Sequence, residues 1–440
     1  MTAPARVDVR IPFTRFQLAN GLTVLVHEDH ALPVASVNLW YRVGSANEAI
    51  GRTGFAHLFE HLMFEGSAHV PPGAFDSALE AAGGINNGST STDRTNYWMN
   101  VPSASLEMAL WLESDRMGFL LEAMTQDKLD VQRDVVKNER RQSYENRPYG
   151  LAWETLVGNL YPLGHPYHHP VIGSMEDIEA ASLDDVNAFF RTYYAPNNAS
   201  LAIAGDVSVD EVRRLAEHWF GAIPAGPEAP PVVAPDPTPA QDIRLVLEDR
   251  VQLPRLYLAW HSPRHYTEAD AAHEVLAAVL ADGKDSRLHR RLVYDEQIAQ
   301  EVSAFQSGGT LGGTFEVVVT AKPGVGLQPL EAAIREELAK LANEGTQGPT
   351  PDELGRALAQ TESGFVQALE RLGGFGGKAD RLNEYEVFTG DPGFAQQDLA
   401  RFRAVTAEDV VAGARGLLSR PGVGLSVVPQ GRRDLAGEAA

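Results

Sequence analysis

The chain has 440 residues, 44% of them hydrophobic, no cysteine and a formal net charge of -22 at pH 7. That length fits two or three domains, each able to bury an apolar interior. The charge repels phosphates and so argues against nucleic-acid and anionic-membrane partners, while the lack of cysteine excludes disulfides, thiolate metal sites and a cysteine nucleophile, leaving His, Asp and Glu as metal ligands.

The opening MTAPARVDVRIPF holds no apolar run of signal-peptide length, and nothing later resembles a membrane span. The expected location is the cytoplasm, or the periplasm if the start was trimmed. Asn20-Gly21 is a hairpin signal ahead of an alternating strand, and ASVNLWYRVGS reads as another strand. GFAHLFEHLMFEGS follows, then amphipathic helices around 74–82, 104–122 and 127–145. His165, His168 and His169 sit in HPYHHPVIG, where prolines at 166 and 170 favour a turn and loop packing over a metal cluster. Ser182 to Asp206 reads as cap, helix, Pro turn and strand. Seven prolines between 224 and 239 then make a stiff linker, because proline lacks the N–H that helices and central strands need. The glycine-rich runs QSGGTLGGTF and RLGGFGGKADRL read as turns or as mobile substrate-guiding loops. They lack the strand-loop-helix context of a phosphate loop. Thr406 to Gly431 repeats the cap, helix, Pro turn and strand of the first half, with Asp409-Val410 matching Asp185-Val186, so the halves share a plan.

The chemistry concentrates in His57, Glu60 and His61. On a helix, i and i+4 share a face, so both imidazoles can aim at one ion, and Glu60 beside them can reach water as a general base without being a ligand. This H-x-x-E-H order is a recognised metallopeptidase signature. Leu58, Phe59, Leu62 and Met63 supply the core face, and the bland alternative is a helix whose polar face is simply solvated. A catalytic zinc needs a third protein ligand. Glu139 is a candidate, on a helix whose Leu129, Val131, Val135 and Val136 suggest one buried face, although a lone helical glutamate is more often paired with neighbouring arginines.

With these segments in view, the chain resembles the pitrilysin and insulysin family of inverted-motif zinc peptidases, which includes the mitochondrial processing peptidase. There the motif is followed by a helical glutamate about 75 to 80 residues on, and Glu139 in NERRQS falls in that place. GRTGFAHLFEHLMFEGS is close to the family's zinc helix, NGSTSTDRTNYW (Asn87 to Trp98) to the strand beside its active site, and HPYHHPVIG also looks familial. The resemblance implies one Zn2+ per chain held by His57, His61 and Glu139, with Glu60 as general base on zinc-bound water and Asn87 at the substrate. It implies an endopeptidase acting on peptides or unfolded segments in a chamber between two chains, with substrate added to a strand edge. The fold expected is α+β: two similar α/β-sandwich halves, each an antiparallel or mixed sheet flanked by helices, joined by a Pro-rich linker. Residues 1–222 would be the catalytic zinc-binding half, 223–242 the linker and 243–440 a degenerate, noncatalytic half.

Two departures qualify this. The helix around Ala271 to Leu280 has His273 and Glu274 but no second histidine at metal spacing. Active family members also carry an Arg and a Tyr that clamp the substrate backbone, and the matching positions here are Val293 and Gln300, with Arg291 and Tyr294 nearby as substitutes. The expectation is therefore a homologous partner subunit that supplies the clamp, in preference to a self-sufficient homodimer. The competing reading is a noncatalytic assembly or core-like subunit of the same fold.

Overall fold

The computed structural model describes residues 9–235, 237, 239–343 and 348–437. Among these no helix is long and apolar enough to cross a membrane. Among the described residues eleven strands form two sheets. The first contains β1 (Thr14–Gln17), β2 (Thr23–Glu28), β3 (Val34–Tyr41), β4 (Ile85–Thr90), β5 (Thr95–Pro102) and β6 (Ala199–Gly205), in the order β1-β2-β6-β3-β5-β4. The second contains β7 (Ile243–Asp249), β8 (Arg255–Ser262), β9 (Ala299–Gly308), β10 (Gly313–Ala321) and β11 (Val423–Pro429), in the order β7-β11-β8-β10-β9. Both sheets are mixed: β6 runs parallel to β2 and antiparallel to β3, as β11 does to β7 and β8. Apart from β1, the two sheets have one topology, so the repeat read from the sequence holds at the level of strand connection.

The first half of the chain supplies helices α1 (Phe55–Leu62), α2 (Ala74–Ala81), α3 (Leu106–Ala123), α4 (Gln126–Arg140), α5 (Ala152–Leu160), α6 (Met175–Ala180), α7 (Leu183–Tyr193) and α8 (Val209–Phe220). The second supplies α9 (Glu268–Ala281), α10 (Gln328–Leu341), α11 (Pro351–Ala368), α12 (Lys378–Thr389), α13 (Ala395–Ala404) and α14 (Ala407–Leu418). The repeated motif keeps its local chemistry. Ser182 and Asp185 form a capping box at α7, and Thr406 and Asp409 form the same box at α14, each pair satisfying two of the N–H groups a helix start leaves unpaired.

Two compact units result: Met1–Asn138 with Pro170–Val233 and Phe365–Gln397, and Glu139–His169 with Ala234–Gly364 and Asp398–Ala440. They differ from a division into 1–222 and 243–440, because each half lends the other a helix. One face of the second sheet is buried by α9, α10 and α14 through Trp260, Leu276, Phe315 and Leu338. Its β8 and β11 are also packed by α5, from the first half of the chain. Reciprocally, α12 packs Ala379 and Leu382 on Leu25, Ala202 and Ala204 of the first sheet. There the Asp380 carboxylate accepts from Asn38, Trp40 and Asn96 side chains and from the Gly376 amide, which satisfies a buried polar patch between helix and sheet. A sequence cut at the prolines could not show this exchange, since it is decided by which apolar helix face fits which sheet. The described residues of 223–242 form no helix or strand, and the border between the units falls within them at Val233 and Ala234.

Candidate metal centre

The helix α1 is fixed at its start by backbone geometry. Gly54 sits at φ 87°, and a Cβ there would come 2.7 Å from the Ile172 carbonyl oxygen, so a residue with a side chain would push this segment away. The Glu48 carboxylate accepts from the Gly54 and Ala56 amides at 2.8 and 2.7 Å, capping the helix from outside. Burial pushes the Glu48 carboxyl well above its ordinary value, and these amide bonds pull against that shift. Thr53, one residue earlier, is held by Asp177 at the start of α6. HPVIG thus serves as the surface on which the zinc-type helix begins.

Leu58, Phe59, Leu62 and Met63 are buried as their spacing predicts, and Phe59 stacks on Phe189 and Tyr194 with ring centroids 5.2 and 5.0 Å away. On the other face the His57 and His61 rings lie 4.8 Å apart at 73°. Glu139, in the last turn of α4, joins them: one nitrogen of each histidine and one Glu139 oxygen all lie within 4.8 Å of one another. The unit border falls inside this helix, but residues 126–138 of α4 belong to the first unit and carry Glu139 with them. Gln132 on α4 donates to Glu65, just after α1, at 2.7 Å and ties the two segments together. Ligands of a tetrahedral zinc with bonds of about 2.0–2.1 Å stand about 3.3 Å apart, so modest side-chain rotation closes this trio on one ion. Two imidazoles and a carboxylate are the donor set that zinc takes, and the residues fit it.

The buried face of α4 differs from the expectation. Leu129 and Val136 are buried, but Val131 and Val135 are 55% and 41% exposed. The buried stripe runs through Leu129, Gln132, Val136 and Arg140 instead, and its two polar members, Gln132 bonded to Glu65 and Arg140 to Glu154, hide it from a hydrophobicity reading.

Glu60 is not part of the trio. It is held by the Thr90 hydroxyl, which donates to its Oε2 at 2.6 Å from the end of β4. That strand pairs with β5 on one side and ends the sheet on the other. Asn87 is exposed on it, its side-chain oxygen accepting from the Gly88 amide at 2.8 Å.

Residues 23–162 match the family described as insulinase (peptidase family M16), and residues 180–361 match the peptidase M16 inactive domain. The zinc protease PqqE of Helicobacter pylori is 31% identical over 361 residues, which cover 80% of this chain and 79% of that one. The chain belongs to peptidase family M16. A zinc protease of Streptomyces coelicolor, described as uncharacterized, is 28% identical to this M16 chain over 413 residues, covering 92% of this chain and 87% of the relative. The crystal structure of a protease from Helicobacter pylori superposes with a TM-score of 0.87 at 27% identity, covering 96% of this chain and all of that one.

Elsewhere the M16 chain offers no second centre: among the described residues the trio of His57, His61 and Glu139 is the one group of three or more placed to hold a metal. His165 is buried and accepts the Tyr167 amide at Nδ1, and burial, with His261 and His168 adding to it, pushes it down to about 4. The Nδ1 of His168 bonds the Tyr161 carbonyl at 2.8 Å. In α9, His273 is buried and its Nδ1 donates to the Ala269 carbonyl at 2.7 Å. Arg291 is ion-paired with Glu296, Glu336 and Glu337. QSGGTLGGTF is a hairpin: residues 306–308 end β9, 313–315 begin β10 and pair with them, and 309–312 make the turn. In RLGGFGGKADRL, a Cβ at Gly373 would come 2.1 Å from Asn100 Oδ1 and 2.2 Å from Ser36 Oγ, so this run lies against the first sheet.

Sequence reasoning passed over Thr90, Glu48 and Gln132. Thr90 is two residues from Gly88 on a strand, hence on the same face, and that face meets α1, a contact that no local sequence pattern announces.

Proposed function

We propose that this M16 chain is a zinc-dependent endopeptidase whose ion is held by His57, His61 and Glu139 and whose general base is Glu60. The observation that carries the proposal is the convergence of those three ligand atoms within 4.8 Å beside a carboxylate anchored on an edge strand. When bound, the ion supplies a Lewis acid that polarises the scissile carbonyl and acidifies water in the site. Glu60 takes a proton from the attacking water as the water oxygen bonds to the carbonyl carbon and opens its C=O bond; the C=O bond then reforms as the C–N bond breaks, and Glu60 passes the proton to the leaving amine nitrogen. No covalent enzyme intermediate is needed.

The free edge of β4 suits an extended peptide, whose main chain pairs with the strand and so places few demands on its sequence. Exposed Asn87 stands on that strand and would meet the substrate. Val293 and Gln300 have neither the charge nor the phenol of a clamp and Arg291 is engaged elsewhere, so a homologous partner chain would complete substrate binding. The alternative, a noncatalytic core-like subunit, draws on likeness of fold to complex III2 from Candida albicans, at 15% identity and a TM-score of 0.77. The trio of ligands speaks against it.

The test is cleavage of a quenched fluorogenic peptide by the chain with and without a partner, with a chelator control and the Glu60→Gln variant. Glu60→Gln should keep zinc and lose cleavage. Unimpaired turnover by this variant would remove Glu60 from the mechanism.

A further inference from the structure

We propose that Thr90 is the positioning residue for the general base, and that through it β4 aligns Glu60 and a bound peptide as one assembly; this rests on the peptidase reading above. Thr90 closes β4, where it pairs with Thr95 of β5. Its Oγ1 donates to Glu60 Oε2 at 2.6 Å, a short bond of the kind a charged acceptor makes. The same hydroxyl is 3.5 Å from the Ala56 carbonyl, too far to compete for its single proton. A glutamate rotates about three side-chain bonds, and a donor on its terminal oxygen is the economical way to fix the carboxylate plane. Threonine suits the task because its branched Cβ restricts χ1 and the ladder to β5 fixes its backbone.

A second contact comes from the same strand face. A Cβ at Gly88 would lie 3.3 Å from Glu60 Cγ and 3.2 Å from the Tyr97 ring, so the strand passes close along the stem of Glu60 while Thr90 holds its end. Since β4 is also the strand whose edge would pair with a peptide, base and scissile bond are referred to one backbone. The need for orientation of this kind is severe, since a misplacement of about 1 Å can cost about 100-fold in rate.

The decisive variant is Thr90→Val, which keeps shape and strand propensity and removes only the donor. With partner and zinc present, kcat should fall by about 10- to 100-fold while KM stays within about twofold. Zinc content should be unchanged, and Thr90→Ser should recover most of the loss. A Thr90→Val enzyme with unaltered kcat, or one that loses zinc or KM in step with kcat, overturns the proposal. A second reading needs no turnover: Thr90→Val, Glu60→Ala and the double variant are compared by denaturant unfolding, where non-additive losses report the bond and additive losses overturn it. If the wild-type chain cleaves no peptide, the peptidase reading fails and takes the catalytic role of Thr90 with it, while the unfolding cycle still tells whether the bond exists.

Discussion

Replacing Glu48 by Ala tests whether α1 is held in place from its start. The change strips an acceptor from two amides, Gly54 at 2.8 Å and Ala56 at 2.7 Å, at the positive end of the helix dipole. Each amide left buried without its acceptor costs about 1–3 kcal/mol. Removing a buried carboxylate crowded by Asp177 returns part of that, since burial is what raises its pKa. The net loss is about 2–4 kcal/mol, which for a unit of about 200 residues lowers Tm by roughly 5–12 °C. Because His57 lies in the first turn of α1, fraying there should also weaken zinc binding, by about 10- to 100-fold. Thermal unfolding of the metal-free variant and competition with a chromogenic chelator read the two effects separately. A Tm within about 2 °C of wild type together with unchanged zinc affinity would refute the reasoning.

Glu139→Ala should leave the fold intact, as Glu139 is only half-buried, while zinc content falls well below one per chain; full occupancy by metal analysis would remove it from the ligand set. Glu316, buried on β10, has its carboxyl raised from 4.5 to about 7 by burial, against a hydrogen bond from Thr314. The folded value lies above the unfolded one, so this group's contribution is fully present below about pH 4.5 and is lost as pH rises through about 7, at most about 3 kcal/mol. Glu316→Gln should therefore unfold at higher denaturant than wild type at pH 8 and lose that advantage at pH 5. The same midpoint difference at both pH values would contradict it.

Much of the site was legible because its signals are local. The i, i+3, i+4 spacing of His57, Glu60 and His61 is a property of one helix, and the capping boxes of Ser182 and Thr406 are complete within four residues. Glu139 came from resemblance, since nothing local separates a ligand from a solvated helical glutamate. Val131 and Val135 misled because a valine on a helix reports hydrophobicity and not the direction of the core, while buried Gln132 and Arg140 owe their places to partners at positions 65 and 154. Thr90 and Glu48 act through single contacts across a strand-helix and a loop-helix junction, which only the assembled fold defines.

The loan of α5 and α12 means that neither half of this polypeptide carries everything its own sheet needs. A protease nick in the proline stretch would sever the main chain there but leave each sheet still wrapped by a segment threaded in from the other side of the cut. Fragments made separately at that point would each expose a bare sheet face, Leu25, Ala202 and Ala204 among the uncovered residues of the first, and would regain a finished core only by finding one another. The chain is thus organised as an obligate pair written in a single reading frame.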